Sequence, residues 1–248
     1  MSGAMEVSTA PQTGAIQVRG LHAGYGSATV VRNLDLTVAA GEVVALLGPN
    51  GAGKTTTLLT IAGLLPAQSG EITVLGRAVN AKRPWSAARY GVALVPEGRA
   101  LFYDLTVREN LLLAIRGDRQ RAIDSAIAYL PALEPLLGRL AGLLSGGEQQ
   151  MLALARALAT TPKVLLVDEM SLGLAPVIVQ RLLPILRTVA DDLGVAVVIV
   201  EQHIHMALMV ADRAVVLSHG DVVLTGPAKE LATRRGLLAS QYLGDAAL

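Results

Sequence analysis

The chain of 248 residues has a formal net charge of +1, is just over half apolar and contains only 3% aromatic residues. That length fits one large α/β domain, or a core carrying one inserted subdomain, with an interior built from Val, Leu, Ile and Ala. The near-zero charge argues against nucleic acid as a partner, and the absence of cysteine excludes disulfides and thiolate metal sites and agrees with a reducing compartment.

The start, 1–14, has neither a basic segment nor an apolar one behind it, so it reads as a short disordered leader rather than a secretory signal. From 15 to 248, short β-branched runs alternate with helical patterns, the signature of a mainly parallel sheet covered by helices. Strands are expected over 16–18, 34–38, 42–47 and 71–75, then over 90–95, 164–167, 195–200 and 214–217. The wholly apolar runs among them suit strands buried on both faces. Between about 98 and 160 the strand signal stops, and helices are expected over 106–115, 119–133 and 148–159. The first of these opens with a capping-box pattern, Thr106 followed by Glu109. This stretch reads as a helical subdomain inserted in the core. Around His219, Gly220 and Asp221 the chain is expected to turn between two edge strands. The longest apolar runs are short and end at polar residues such as Glu201, whereas a membrane span needs about 20 consecutive apolar residues.

The run Gly48-Pro49-Asn50-Gly51-Ala52-Gly53-Lys54-Thr55, extended by Thr56, fits a phosphate-binding loop and lies between an apolar strand and a helix. Glycines at 48, 51 and 53 let successive backbone N–H groups turn towards phosphate oxygens. The following helix aims its positive end at the same charge. Lys54 is expected to reach the β- and γ-phosphates and the Thr55 hydroxyl to ligate Mg²⁺. The second apolar run ends in Asp168, a candidate Mg²⁺ ligand, and Glu169 beside it is placed to take a proton from an attacking water. ATP and Mg²⁺ are therefore the expected substrate and ion, and hydrolysis the expected reaction.

A third motif, Leu144-Ser145-Gly146-Gly147-Glu148-Gln149-Gln150, sits between the loop and Asp168. A serine and two glycines at a helix start make a second anion site. In this order the three motifs resemble those of ATP-binding-cassette (ABC) ATPases, and the resemblance runs from about residue 16 to the end. It implies a P-loop NTPase α/β core, an antiparallel β part on the N-terminal side and the inserted helical subdomain. It also implies that Ser145, Gly146, Gly147 and Glu148 act on the ATP held by a second ATPase subunit, and that Tyr25 stacks on adenine. The segments 95–99, 169–176, 200–202 and 241–244 look like the ATP-binding subunits of branched-chain amino-acid importers, of the LivF type rather than the LivG type. The implied assembly sits on the cytoplasmic face of the membrane. It has a LivG-like second ATPase or a second copy of this chain, two permease subunits and an extracytoplasmic solute-binding protein. Related transporters carry urea or short amides, and soluble cassettes serving translation or repair share the motifs.

The chain departs from the family's pattern in three places. Glu97 stands where Gln is usual and could still offer an oxygen to Mg²⁺ or its water. The usual aspartate of the segment 171–176 is absent. Gln202, not a histidine, occupies the switch position after Glu201, and glutamine hydrogen-bonds but cannot become a cation. His203 and His205 read as the polar start of the next helix. A subunit that binds ATP but hydrolyses it slowly is the corresponding alternative.

Overall fold

The computed structural model describes residues 14–83, 85–115, 117–201 and 203–233. The expected leader, apart from Gly14, lies outside the described residues, as do Gln202 and the segment 241–244.

The chain opens with β1 (Ile16–Tyr25) and β2 (Ala28–Val38), followed by β3 (Val43–Leu47), α1 (Lys54–Ile61), β4 (Ala67–Val74) and the short β5 (Arg77–Ala78). Then come α2 (Trp85–Tyr90), β6 (Val92–Val95), α3 (Val107–Ala114) and α4 (Arg119–Tyr129). After two 3₁₀ turns follow α5 (Gly146–Leu158), β7 (Val164–Asp168), α6 (Pro176–Leu193), β8 (Ala196–Glu201) and α7 (Ile204–Val210). The last described elements are β9 (Arg213–Ser218), β10 (Asp221–Pro227) and α8 (Ala228–Thr233).

Two sheets result. The antiparallel one has the order β2-β1-β4-β5, and the larger one the order β10-β9-β3-β8-β7-β6. In the latter β9, β3, β8, β7 and β6 run parallel, and only the edge strand β10 is reversed. Every residue of β3, β7 and β8 is buried, as strands covered on both faces require.

Because side chains alternate along a strand, these three strands divide their residues between two cores. Val43, Ala45, Leu47, Leu165, Val167, Val197 and Ile199 pack with the helices α5 and α6. Val44, Leu46, Leu166, Val198 and Val200 pack with Leu58 and Ile61 of α1 and with Ile16, Leu21 and Leu34 of the antiparallel sheet. Helix α1 thus lies between the two sheets.

Several element bounds differ from the sequence expectation for identifiable reasons. β1 runs on to Tyr25, with register shifts after Val18, Leu21 and Ala23; glycines at 20 and 24 accommodate these bulges and hide the strand from pattern reading. Tyr90 closes α2 instead of opening β6, because Gly91 turns the chain there with φ +105°. The helix expected over 119–133 stops at Tyr129: Pro131 forces Leu130 out of the helical region, to φ −134° and ψ 59°, and the chain continues as a 3₁₀ turn. Helix α5 starts two residues earlier than expected, at Gly146.

Between β6 and β7 the described elements are all helical. The capping box of α3 is formed: Thr106 Oγ1 accepts from the Glu109 amide, and the Glu109 carboxylate accepts from the Thr106 amide at 2.8 Å. Deeper in the same helix, the buried Asn110 amide closes the preceding turn. It accepts from Phe102 N at 3.0 Å and donates to the carbonyls of Phe102, Leu105 and Thr106 at 2.9–3.2 Å. No helix among the described residues is long and apolar enough to cross a membrane. Replacing Asn110 by Ala would strand several of these groups. We expect a loss of about 2–4 kcal/mol in urea unfolding, since each buried unpaired group costs about 1–3 kcal/mol.

Candidate nucleotide site

The parallel strands bring their carboxyl ends to one edge, where open α/β sheets bind ligands. In register, Leu47 lies beside Glu201 of β8, and Val200 beside Asp168 of β7. The glycine-rich loop leaves β3 at that edge. Gly51 and Gly53 have φ of +80° and +100°, conformations that L side chains rarely adopt. A Cβ on Gly48 would run into the Leu217 carbonyl oxygen of β9. No side chain caps the start of α1, and its first turn contains no acidic residue, so its amides are presented to an anion rather than to the protein.

Within this loop Lys54 is 4% exposed and folds back, donating to Gly48 O at 2.8 Å and Pro49 O at 3.0 Å. Its Nζ lies 3.5 Å from Glu169 Oε1. The Thr55 hydroxyl donates to Asp168 Oδ1 at 3.0 Å, which ties the phosphate loop to the end of β7 across 113 residues of chain. Burial pushes the Asp168 carboxyl up to about 6; the Thr55 hydrogen bond and Lys54 oppose the rise, and the charges of Glu169 and Glu97 add to it. Glu169 itself is held at φ +43°, with its amide donating to Val200 O at 2.9 Å. A glutamate in this region is strained, and its surroundings must hold it there.

A cleft of about 300 Å³ is lined by Tyr25, Val30, Asn50, Gly51, Gly53, Lys54, Thr55, Thr56 and Glu169. Most of the expected nucleotide-binding residues therefore share one wall. Tyr25, at the end of β1, is 54% exposed and forms the rim. Hollows of about 570 and 610 Å³ lie elsewhere, around Arg156 and around Tyr129 with Asp192. Neither includes a glycine-rich loop or a helix start, so the smaller cleft is the candidate nucleotide site.

The third motif stands apart from this cleft. Ser145 caps α5, accepting from Glu148 N at 3.3 Å, while the Glu148 carboxylate accepts from Ser145 N at 2.7 Å. That backbone hydrogen bond, followed by the contact with the Ser145 side chain, holds the Glu148 carboxyl below its ordinary range. Ser145 and Gly146 are exposed, and the first-turn amides have no intrahelical acceptor. The start of α5 is exposed at Ser145 and Gly146 and does not line the cleft.

Glu97 is exposed on the turn after β6. His203 is the residue before α7, and its side chain caps nothing there. Two contacts were not legible beforehand. Glu201, buried with its carboxyl raised chiefly by burial, accepts from the Ser171 amide at 3.2 Å and from the Ser171 hydroxyl. Arg99 reaches the side chains of Gln149 and Gln150. Separations of 30 and about 50 residues give sequence inspection no local signal for either.

A glycine-rich loop between a central parallel strand and a helix, with a neighbouring strand-end Asp bonded to the loop's Thr, defines a P-loop nucleotide-binding protein. Residues 31–171 match the family described as ABC transporter, and the chain belongs to that family. It is 41% identical to the Pseudomonas aeruginosa protein named high-affinity branched-chain amino acid transport ATP-binding protein BraG, over 89% of this chain and 95% of that one. It is 35% identical to the probable branched-chain amino acid transport ATP-binding protein LivF of Archaeoglobus fulgidus, over 85% and 91%. The ATP-binding cassette MJ0796, solved as a dimer in a post-hydrolysis state with ADP and Pi, superposes with a TM-score of 0.77 at 25% identity, covering 86% of this chain and 98% of that one.

Two glycine substitutions separate close approach from backbone preference. Gly48→Ala is expected to abolish ATP-induced thermal stabilisation, since its Cβ meets backbone. Gly51→Ala meets nothing within 4 Å and is expected to cost only about 1 kcal/mol, from its φ alone. Thermal melts with and without Mg·ATP read both.

Proposed function

We propose that the chain is the ATP-binding and ATP-hydrolysing subunit of an ABC importer for branched-chain or other small amino acids. The observation that carries this reading is the Thr55–Asp168 hydrogen bond, which joins phosphate loop and strand-end carboxylate into one site with Glu169 beside Lys54. The likeness to BraG and LivF supports the solute class.

In this mechanism the loop amides and Lys54 hold the β- and γ-phosphates, and Tyr25 packs on the adenine. The Thr55 hydroxyl and Asp168 would supply hard oxygen donors for Mg²⁺, and Glu97 would offer an oxygen to the ion or its water. Among the described residues no cluster of three or more acidic or histidine side chains is arranged to hold a metal alone. That suits Mg²⁺, which uses one or two protein oxygens and completes its shell with water and phosphate. When bound, the ion offsets charge on the phosphates. Glu169 takes a proton from the attacking water, oxygen bonds to the γ-phosphorus, and the bond to the ADP oxygen breaks, releasing ADP and phosphate.

Ser145, Gly146, Gly147 and Glu148 face the ATP of a second ATPase subunit, LivG-like or a copy of this chain. Closure of that sandwich moves the helical segments of 98–160 against two permease subunits, with the chain peripheral on the cytoplasmic face and a solute-binding protein outside. Gln202 at the switch position makes this site the slower of the two.

Glu169→Gln is expected to slow single-turnover hydrolysis by about 10²–10⁴ while leaving ATP bound. Lys54→Ala should weaken binding itself. In the assembled transporter Gln202→His should raise turnover and Gln202→Ala lower it; unchanged rates in both would remove Gln202 from the reaction.

A further inference from the structure

We propose that Gln68 and Arg32 are positioning residues for the adenine side of the cleft, holding the hairpin that carries Tyr25 at a fixed place relative to the phosphate loop. The proposal rests on the nucleotide reading above and adds to it what sets the place of the base.

Tyr25 and the phosphate loop belong to different sheets: Tyr25 ends β1 of the antiparallel sheet, and the loop leaves β3 of the larger one. The tip of the β1–β2 hairpin, 25–29, is exposed at every residue. No buried apolar side chain of its own fixes where it stands, so hydrogen bonds must do so.

Gln68 supplies them at the tip. The β1–β4 pairing steps from His22 opposite Ser69 to Ala23 opposite Ala67, which leaves Gln68 as the extra residue of a bulge. Bulges re-aim side chains, and this one sends the Gln68 amide to the hairpin. Its Oε1 accepts from the Thr29 hydroxyl at 2.8 Å, and its Nε2 donates to the carbonyls of Gly26 at 3.2 Å and Ala28 at 3.3 Å. Both ends of the amide are thus engaged with the turn that follows Tyr25.

Arg32 supplies the anchor further along β2. Its amide donates to Gly220 O at 2.8 Å. Its guanidinium engages both oxygens of Asp221, with Nε donating to Oδ1 at 3.1 Å, and also reaches the His219 carbonyl. His219 and Gly220 turn between β9 and β10 with φ of +50° and +90°. The fit is close, since a Cβ on Gly220 would lie 2.1 Å from Val30 O. The same stretch of β2 abuts the phosphate loop, where a Cβ on Gly53 would meet Val31 Cγ2 at 2.7 Å and Val30 O at 3.3 Å. Val30 itself lines the cleft. β2 is therefore wedged between the phosphate loop and the β9–β10 turn, and Arg32 fastens it there. The side chains of Arg32 and Asp221 are 45% and 54% exposed, and exposed ion pairs contribute little to stability. The contact is removable without loss of the fold, and what it fixes is the place of the hairpin.

The test compares ATP with inorganic tripolyphosphate, which offers the loop a phosphate chain without a base, as ligands of the full chain in calorimetric titrations with Mg²⁺. Gln68→Ala and Arg32→Ala should each weaken ATP binding by about three- to tenfold, the worth of one or two hydrogen bonds, and leave tripolyphosphate binding unchanged. Asp221→Asn, which keeps the shape and removes the charge, should reproduce the Arg32→Ala result and decides the matter where that variant does not fold. Because both residues act through Tyr25, neither substitution should weaken ATP further in a Tyr25→Ala background, whereas independent sites would add. Equal weakening of ATP and tripolyphosphate, or full additivity with Tyr25→Ala, overturns the positioning role. Unchanged ATP binding in either variant removes that residue from it. Parent-like ATP binding by Tyr25→Ala overturns it too, since the hairpin would then have nothing to position. Failure of the parent to bind either ligand overturns the nucleotide site itself.

Discussion

Three parallel strands, β3, β8 and β7, lie side by side with every residue buried, and the positions of the functional groups follow from their register. Parallel pairing sends all three carboxyl ends to the same edge, and burial on both faces allows each strand only apolar side chains until it emerges. The first polar groups at those ends are the phosphate loop after β3, the buried Glu201 that closes β8, and the buried Asp168 that closes β7, followed by Glu169. A one-residue slip of β7 against β8 would exchange its two cores and carry Asp168 away from Thr55.

The electrostatics of the cleft follow from that convergence. Asp168 and Glu169 follow one another at the end of β7 beside one buried lysine, and burial first, then the charge of Glu169, raises the Asp168 pKa. Lys54 is shared between loop carbonyls and Glu169. A phosphate chain entering the loop would compete for Lys54, and a cation would relieve the carboxylates. The strained Glu169 backbone belongs to the same account, since it presets the carboxylate beside Lys54.

The start of α5 has a different construction. Ser145 caps it with Glu148, and Arg99 on the turn after β6 bonds to Gln149 and Gln150 of its first turns. Arg99 and Gln149 join those two elements through side chains rather than through the sheet.

Much of this was legible in the residues themselves. The loop 48–56 declares its chemistry because phosphate needs glycine backbone, a lysine and a hydroxyl at fixed local spacing, and the apolar runs ending at Leu47 and Asp168 declare buried parallel strands by composition. The cap at Ser145 and the box at Thr106 are likewise local. Where pattern reading failed, the cause was also local: glycines at 20 and 24 interrupt β1, and Pro131 ends α4 early. Only the tertiary structure decided which of these pieces meet. The bond from Thr55 to Asp168, the clamp of Glu201 on Ser171 and the reach of Arg99 to Gln149 and Gln150 join residues 30 to 113 positions apart. No periodicity encodes such contacts, because they are set by strand order and helix packing, which the chain acquires only when its two cores close together.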